Sequence, residues 1–144
     1  MKRFASRPLG PVMLGALVAL TGCAGAAPQS PLEAVEAAIR DAPAGLDEVR
    51  ADEGIDGFSR HVLLVLVASG DELPVDGVTE TLDTVGDVLP EEYDSVHVVA
   101  RSASGDRLDV DTALESLGFS ETYMVSPTRA HITASAVRAF ASEG

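Results

Sequence analysis

Tryptophan is missing from this 144-residue chain, and aromatics are few: four Phe and two Tyr. Sugar clefts and nucleotide-stacking platforms draw on aromatic faces, so the shortage weighs against both. Cysteine occurs once, at Cys23, and lysine once, at Lys2. A single cysteine cannot form an intramolecular disulfide or a zinc–thiolate cluster, so a folded extracytoplasmic domain would have to be held by its apolar core. Basic residues are scarce beside acidic ones, 10 against 23, for a formal charge of −13. That surplus repels phosphate backbones and weighs against DNA or RNA as a partner. The catalytic signatures are missing too. There is no G-x-S-x-G, no S-x-x-K, no G-x-x-x-x-G-K-[ST], no HExxH and no glycine-rich dinucleotide turn.

What is present is concentrated first at the N-terminus. Lys2, Arg3 and Arg7 precede a mostly apolar run from Leu9 to Leu20, and no acid occurs before Glu33. Twelve residues make roughly 18 Å of helix, whereas a membrane span needs about 20 residues. A basic start, a short apolar core and small residues after it form the layout of a secretory signal. The segment ends in Leu20-Thr21-Gly22-Cys23.

These four residues resemble the lipobox of bacterial lipoproteins. The resemblance implies a diacylglyceryl thioether on the Cys23 sulfur and cleavage between Gly22 and Cys23 by the lipoprotein signal peptidase. Two acyl chains suit a stable anchor, because one chain alone holds only marginally. The rival readings are an ordinary signal peptide cut around Ala24 to Ala27, or a cysteine that is simply buried. The resemblance gives an address, a lipid anchor on the extracytoplasmic face of the cell membrane, and no activity. The remainder of the chain looks like uncharacterised small lipoproteins of high-GC Gram-positive bacteria, a likeness that carries no known activity either.

The resulting division is a signal peptide over 1–22, lipid attachment and a short tether over 23–30, and one domain over 31–144. Removing 1–22 takes three basic residues and no acid, so the mature chain carries −16, and all seven of its basic residues are arginine.

Within the domain, Ser30, Pro31 and Glu33 are the cap, first-turn proline and capping-box partner of a helix whose face is Leu32, Val35, Ile39 and Ala42. Residues 46–51 alternate weakly as a strand, "DEGIDG" at 52–57 supplies turn signals, and "HVLLVLVA" from His61 reads as a central strand apolar on both sides. Val75, Val78, Leu82, Val85 and Leu89 recur at helical spacing between Pro74 and Pro90. "SVHVVAR" at 95–101 is a further strand, and a parallel β-α-β link from 61–68 to 95–101 is consistent with this order. A short helix starts near Asp109 and stops at Gly118, and "TYMV" suits a strand. Residues 126–140 admit two readings: a helix capped by Ser126, or a strand through Thr133 followed by an irregular or helical end, with a slight lean to the second. The expected class is α+β, a small, largely antiparallel sheet of 3–4 strands packed by 2–3 helices.

Candidate ligand groups are few. Asp76, Glu80, Asp83 and Asp87 form an acidic stripe opposite the apolar face of their helix, but one helix face offers fewer oxygens than Ca²⁺ requires. The acidic turns at Asp52 and Asp109 fail the EF-hand pattern at positions 3 and 6 respectively. His61, His97 and His131 lie in or beside strands with no ligand spacing among them, and read as ordinary strand residues. No catalytic residue, metal ligand or cofactor is expected. The favoured function is a non-catalytic interaction or structural module of the cell envelope, anchored through Cys23, with a protein partner unidentified and no nucleic acid bound. The alternatives are an acidic divalent-cation-binding module, or a hydrolase whose site leaves no motif.

Overall fold

The computed structural model describes residues 30–119 and 123–144. The stretches read above as signal segment, lipid attachment and tether, Gly22 and Cys23 among them, lie outside the described residues. Among the described residues, no helix is long and apolar enough to cross a membrane.

The first helix, α1 (Pro31–Ala38), starts where its cap chemistry dictates. The Ser30 hydroxyl accepts the Glu33 N–H at 3.3 Å and the Glu33 carboxylate accepts the Ser30 N–H at 2.6 Å. This reciprocal pair satisfies two donors that a helix start otherwise leaves unpaired. Two long strands follow, β1 (Leu46–Asp56) and β2 (Ser59–Ala68), paired antiparallel. The expectation that β1 ends near Ala51 and that 52–57 forms the turn needs correcting. Asp52 to Asp56 stay in the ladder opposite Leu63 to Ser59, so the turn shrinks to Gly57 and Phe58.

Helix α2 (Val75–Val88) carries the chain across to β3 (Ser95–Arg101), which lies parallel to β2. A two-residue strand, β4 (Arg107–Leu108), folds back on β3, and α3 (Asp111–Ser116) follows. The Asp109 carboxylate accepts the N–H groups of Asp111 and Thr112 at 2.8 and 3.2 Å, fixing the start of α3. The chain ends with β5 (Tyr123–Ser126), β6 (Arg129–Thr133) and α4 (Ala134–Glu143). Thr133, not Ser126, caps α4, its hydroxyl accepting the Ala136 N–H at 3.3 Å.

The class is α+β, with one small, mostly antiparallel sheet. Its order is β1-β2-β3-β6-β5, with β4 also on β3, and β2–β3 is the parallel pair. Among the described residues the sheet is wider than three or four strands because the final segment contributes two, and α4 brings the helices to four.

The sheet has two unlike faces. Val62, Leu64, Leu66, Val96, Val98 and Ile132 are 0–1% exposed beneath the helices, each such side chain contributing on the order of 1.5–3 kcal/mol by leaving water. Their alternates Leu63, Val65, Val67 and Val99 point the other way and are only half-buried. Helices α2 and α4 cross closely at Gly86, where an added Cβ would lie 2.5 Å from the Val137 carbonyl and 2.6 Å from the Ala141 Cβ. Tyr93 is 1% exposed and its hydroxyl donates to Glu53 at 2.8 Å, while Arg60 pairs with the same carboxylate. Desolvation raises the Tyr93 phenol well above its usual range, and Glu53 adds to this.

Candidate functional site

The open sheet face gathers side chains that are far apart in the chain. His61 on β2, His97 on β3 and His131 on β6 sit on three adjacent strands and share the parity that turns them away from the helices. His97 is directly opposite His131, and His61 is in register with Ser95, two residues before His97 on the parallel pair. Their rings stack. His61 and His97 have centroids 3.8 Å apart and planes 14° from parallel; His97 and His131 have 3.5 Å and 1°. Gly54, opposite His61 on β1, completes the row. A Cβ there would come within 2.2 Å of the His61 Nε2, so the absence of a side chain is what lets the outermost ring lie flat.

The surroundings of His97 set its chemistry. It is 3% exposed. Burial, reinforced by His131, His61 and the Arg129 guanidinium, lowers its pKa from 6.5 to about 4. His131 is lowered by burial and by Arg129, and its buried Nε2 has no hydrogen-bond partner among the described residues. An Arg129 Nη2 sits 3.5 Å from the His97 Nδ1, and the Ser95 Oγ lies 3.3 Å from its Nε2. A guanidinium can only donate, so Nδ1 is the accepting nitrogen and Nε2–H donates to Ser95.

This arrangement brings a serine to a histidine, which the sequence did not announce, but with the polarity of a catalytic pair reversed. A general base must take the hydroxyl proton on a free nitrogen and is helped by a carboxylate behind it. Here the nitrogen facing Ser95 carries the proton, and a cation stands behind the ring. The lowered basicity of His97 points the same way.

The metal-capable grouping among the described residues is Asp56, His61 and His97, whose nearest ligand atoms lie within 4.8 Å of one another. His61 Nδ1 is 3.5 Å from Asp56 Oδ2. Tetrahedral coordination needs in-plane lone pairs converging at about 2.0–2.1 Å. Rings stacked face to face aim their lone pairs side by side, and both His97 nitrogens are already engaged, so ligation would require the stack to open. The acidic stripe gathers no such group: Asp76, Glu80 and Asp87 are exposed on α2.

Beside the stack lies an open cavity of about 510 Å³. Its floor is Leu63, Val65 and Val99, and Ser126 and Thr128 line one side. Arg50, Arg101, Arg107 and Arg129 surround it. Neither these arginines nor Gly54 and Ser95 were singled out from the sequence. Comparison of the chain with family models, curated proteins and solved structures finds no match, so function has to be argued from this geometry.

Proposed function

We propose that the chain is a lipid-anchored, extracytoplasmic binding module of the bacterial cell envelope, without catalytic activity, and that the open face of its sheet is the surface it presents. The observation that carries the reading is the asymmetry of that sheet. One face is sealed by helices, and the other is left half-exposed with apolar, histidine and arginine side chains around a cavity of ligand size, within the roughly 300–1,000 Å³ that small-molecule sites occupy. An unneeded face of this kind would be polar and featureless. The anchor rests on the lipobox Leu20-Thr21-Gly22-Cys23: the Cys23 diacylglyceryl group holds the domain at the outer side of the cytoplasmic membrane, and the tether to Ser30 reaches at most about 20–25 Å, so the domain stays close to the bilayer.

The hydrolase alternative is disfavoured by the protonated Nε2 that His97 turns toward Ser95. The cation-binding alternative is disfavoured by the stacked rings and by the solvated stripe on α2. Two measurements test the reading. Intact mass of the membrane-extracted chain should show a mature N-terminus at Cys23 with a diacylglyceryl thioether, and Ser95 should resist a fluorophosphonate probe as fully as a Ser95→Ala variant does. A mature chain beginning downstream of Cys23, or covalent labelling at Ser95, would overturn it.

A further inference from the structure

The arginines around the cavity carry the inference furthest. After the signal segment only seven basic residues remain, and four of them, Arg50, Arg101, Arg107 and Arg129, line one cavity. Sheet register puts them there. Arg50, Val65, Val99 and Arg129 lie opposite one another in a single row across β1, β2, β3 and β6. With strands about 4.8 Å apart, two guanidinium stems flank a two-residue apolar floor about 14 Å from end to end. At the top of β3, Arg101 and Arg107 are directly paired across the β3–β4 ladder. Like charges directly opposite one another destabilise a sheet.

In a chain with 23 acids the ordinary remedy would be a nearby carboxylate. Arg50 has one, Glu48 at 3.1 Å. Among the described residues Arg101 reaches only the Gly105 carbonyl at 3.4 Å, and Arg129 only the His97 ring. Among the described residues, Arg101, Arg107 and Arg129 have no carboxylate within ion-pair distance, the ion pairs being those of Arg50, Arg60 and His61. Three exposed, unpaired arginines converging over an apolar floor are built for an anion with an apolar part.

We propose that this cavity binds a phosphorylated amphiphile, its phosphate held by Arg101, Arg107 and Arg129 and its hydrocarbon laid on Leu63, Val65 and Val99. Phosphate suits the site better than carboxylate. Several guanidiniums approach from different strands, and a phosphate offers three or four oxygens and up to two charges, where a carboxylate offers two oxygens and one charge. The surplus acid elsewhere does not forbid this, because charges more than about 8–10 Å away are largely screened at physiological salt. The proposal deepens the reading of the open face as a binding surface and rests on it.

Isothermal titration of the soluble domain with octyl phosphate, inorganic phosphate, octanoate and octyl glucoside tests it, all below their micellar concentrations. Octyl phosphate is expected to bind at least ten-fold more tightly than each of the other three. Arg107→Ala and Arg129→Ala should each weaken it about ten-fold or more. Arg107→Ala should at the same time leave the melting temperature unchanged or slightly raised, because it relieves the repulsion with Arg101, an outcome a merely structural arginine would not give. No binding of octyl phosphate, equal binding of octanoate, equal binding of inorganic phosphate, or arginine variants that bind as the native domain does would each overturn the proposal. These results leave the open-face reading itself to be judged by cross-linking from that face.

Discussion

His97 and His131 lie face to face on neighbouring strands, their ring centroids 3.5 Å apart and their planes 1° from parallel. Two imidazoles at that distance cannot both be cationic without strong repulsion, and His61 stacks on the far side of His97. The packing at the centre of the open face is therefore tied to His97 and His131 being neutral.

Acid should accordingly weaken the fold through this stack. An unfolded histidine takes up a proton near pH 6.5, whereas folded His97 resists protonation until about pH 4. Stability from the neutral ring is complete above about 6.5 and is lost as pH falls through the window to 4, because the unfolded chain binds the extra proton there. His131 is shifted in the same direction. Urea midpoints at pH 7.5 and 4.5 should show a loss on the order of 2 kcal/mol assignable to His97, given about 1.4 kcal/mol per pH unit of displacement. His97→Gln should flatten that part of the pH dependence.

Gly54→Ala should displace the outer ring. The new Cβ would sit 2.2 Å from the His61 Nε2, and His61 is held by His97 on one side and near Asp56 on the other. A cost of about 1–3 kcal/mol is expected from overpacking. In a His61→Ala background the same substitution should cost nothing or stabilise slightly, since Gly is the poorer strand residue. Thermal unfolding of the four proteins in the cycle reads the coupling.

The α2–α4 crossing gives a sharper steric test. Gly86→Ala gains about 1 kcal/mol of helix propensity, but its Cβ meets the Val137 carbonyl and the Ala141 Cβ at 2.5 and 2.6 Å. Backbone cannot swing aside as a side chain can, so the helices must separate. A net loss of about 1–2 kcal/mol is expected by chemical denaturation.

Much of this fold could be read from local pattern, and the site could not. Ser30 with Glu33 marks α1, the 3-4-3-4 spacing of Val75 to Leu89 marks α2, and the apolar run from His61 to Ala68 marks a central strand, because each signal acts within one turn or one strand. The α+β class follows from their order. Where β1 ends depends on a partner: the glycines and acids of 52–57 look like a turn alone, and Asp52 to Asp56 become strand opposite Leu63 to Ser59. Residues 126–140 read both as strand and as helix because they are both in succession, with Thr133 as the joint. The histidine row depends on strand order and register across β2, β3 and β6, which spans 70 residues of sequence and leaves no spacing to find. The same holds for the arginines, although the restriction of all basic charge after residue 22 to seven arginines is visible.

The interlock at Tyr93 should respond asymmetrically. Tyr93→Phe removes the hydroxyl that donates to Glu53 at 2.8 Å but leaves Arg60 paired with the same carboxylate. A modest cost of about 1 kcal/mol is expected. Glu53→Leu leaves both the buried phenol and Arg60 without their acceptor and should cost clearly more, as read from urea midpoints.

Photo-cross-linking in intact envelopes tests the central claim most directly. A benzoylphenylalanine replaces Thr128, at the cavity on the open face, or Glu80, on the exposed acidic side of α2. In the full chain, adducts are predicted from position 128 and not from position 80. Adducts formed as readily from 80 as from 128, or from neither position, would contradict a binding module that works through its open sheet face.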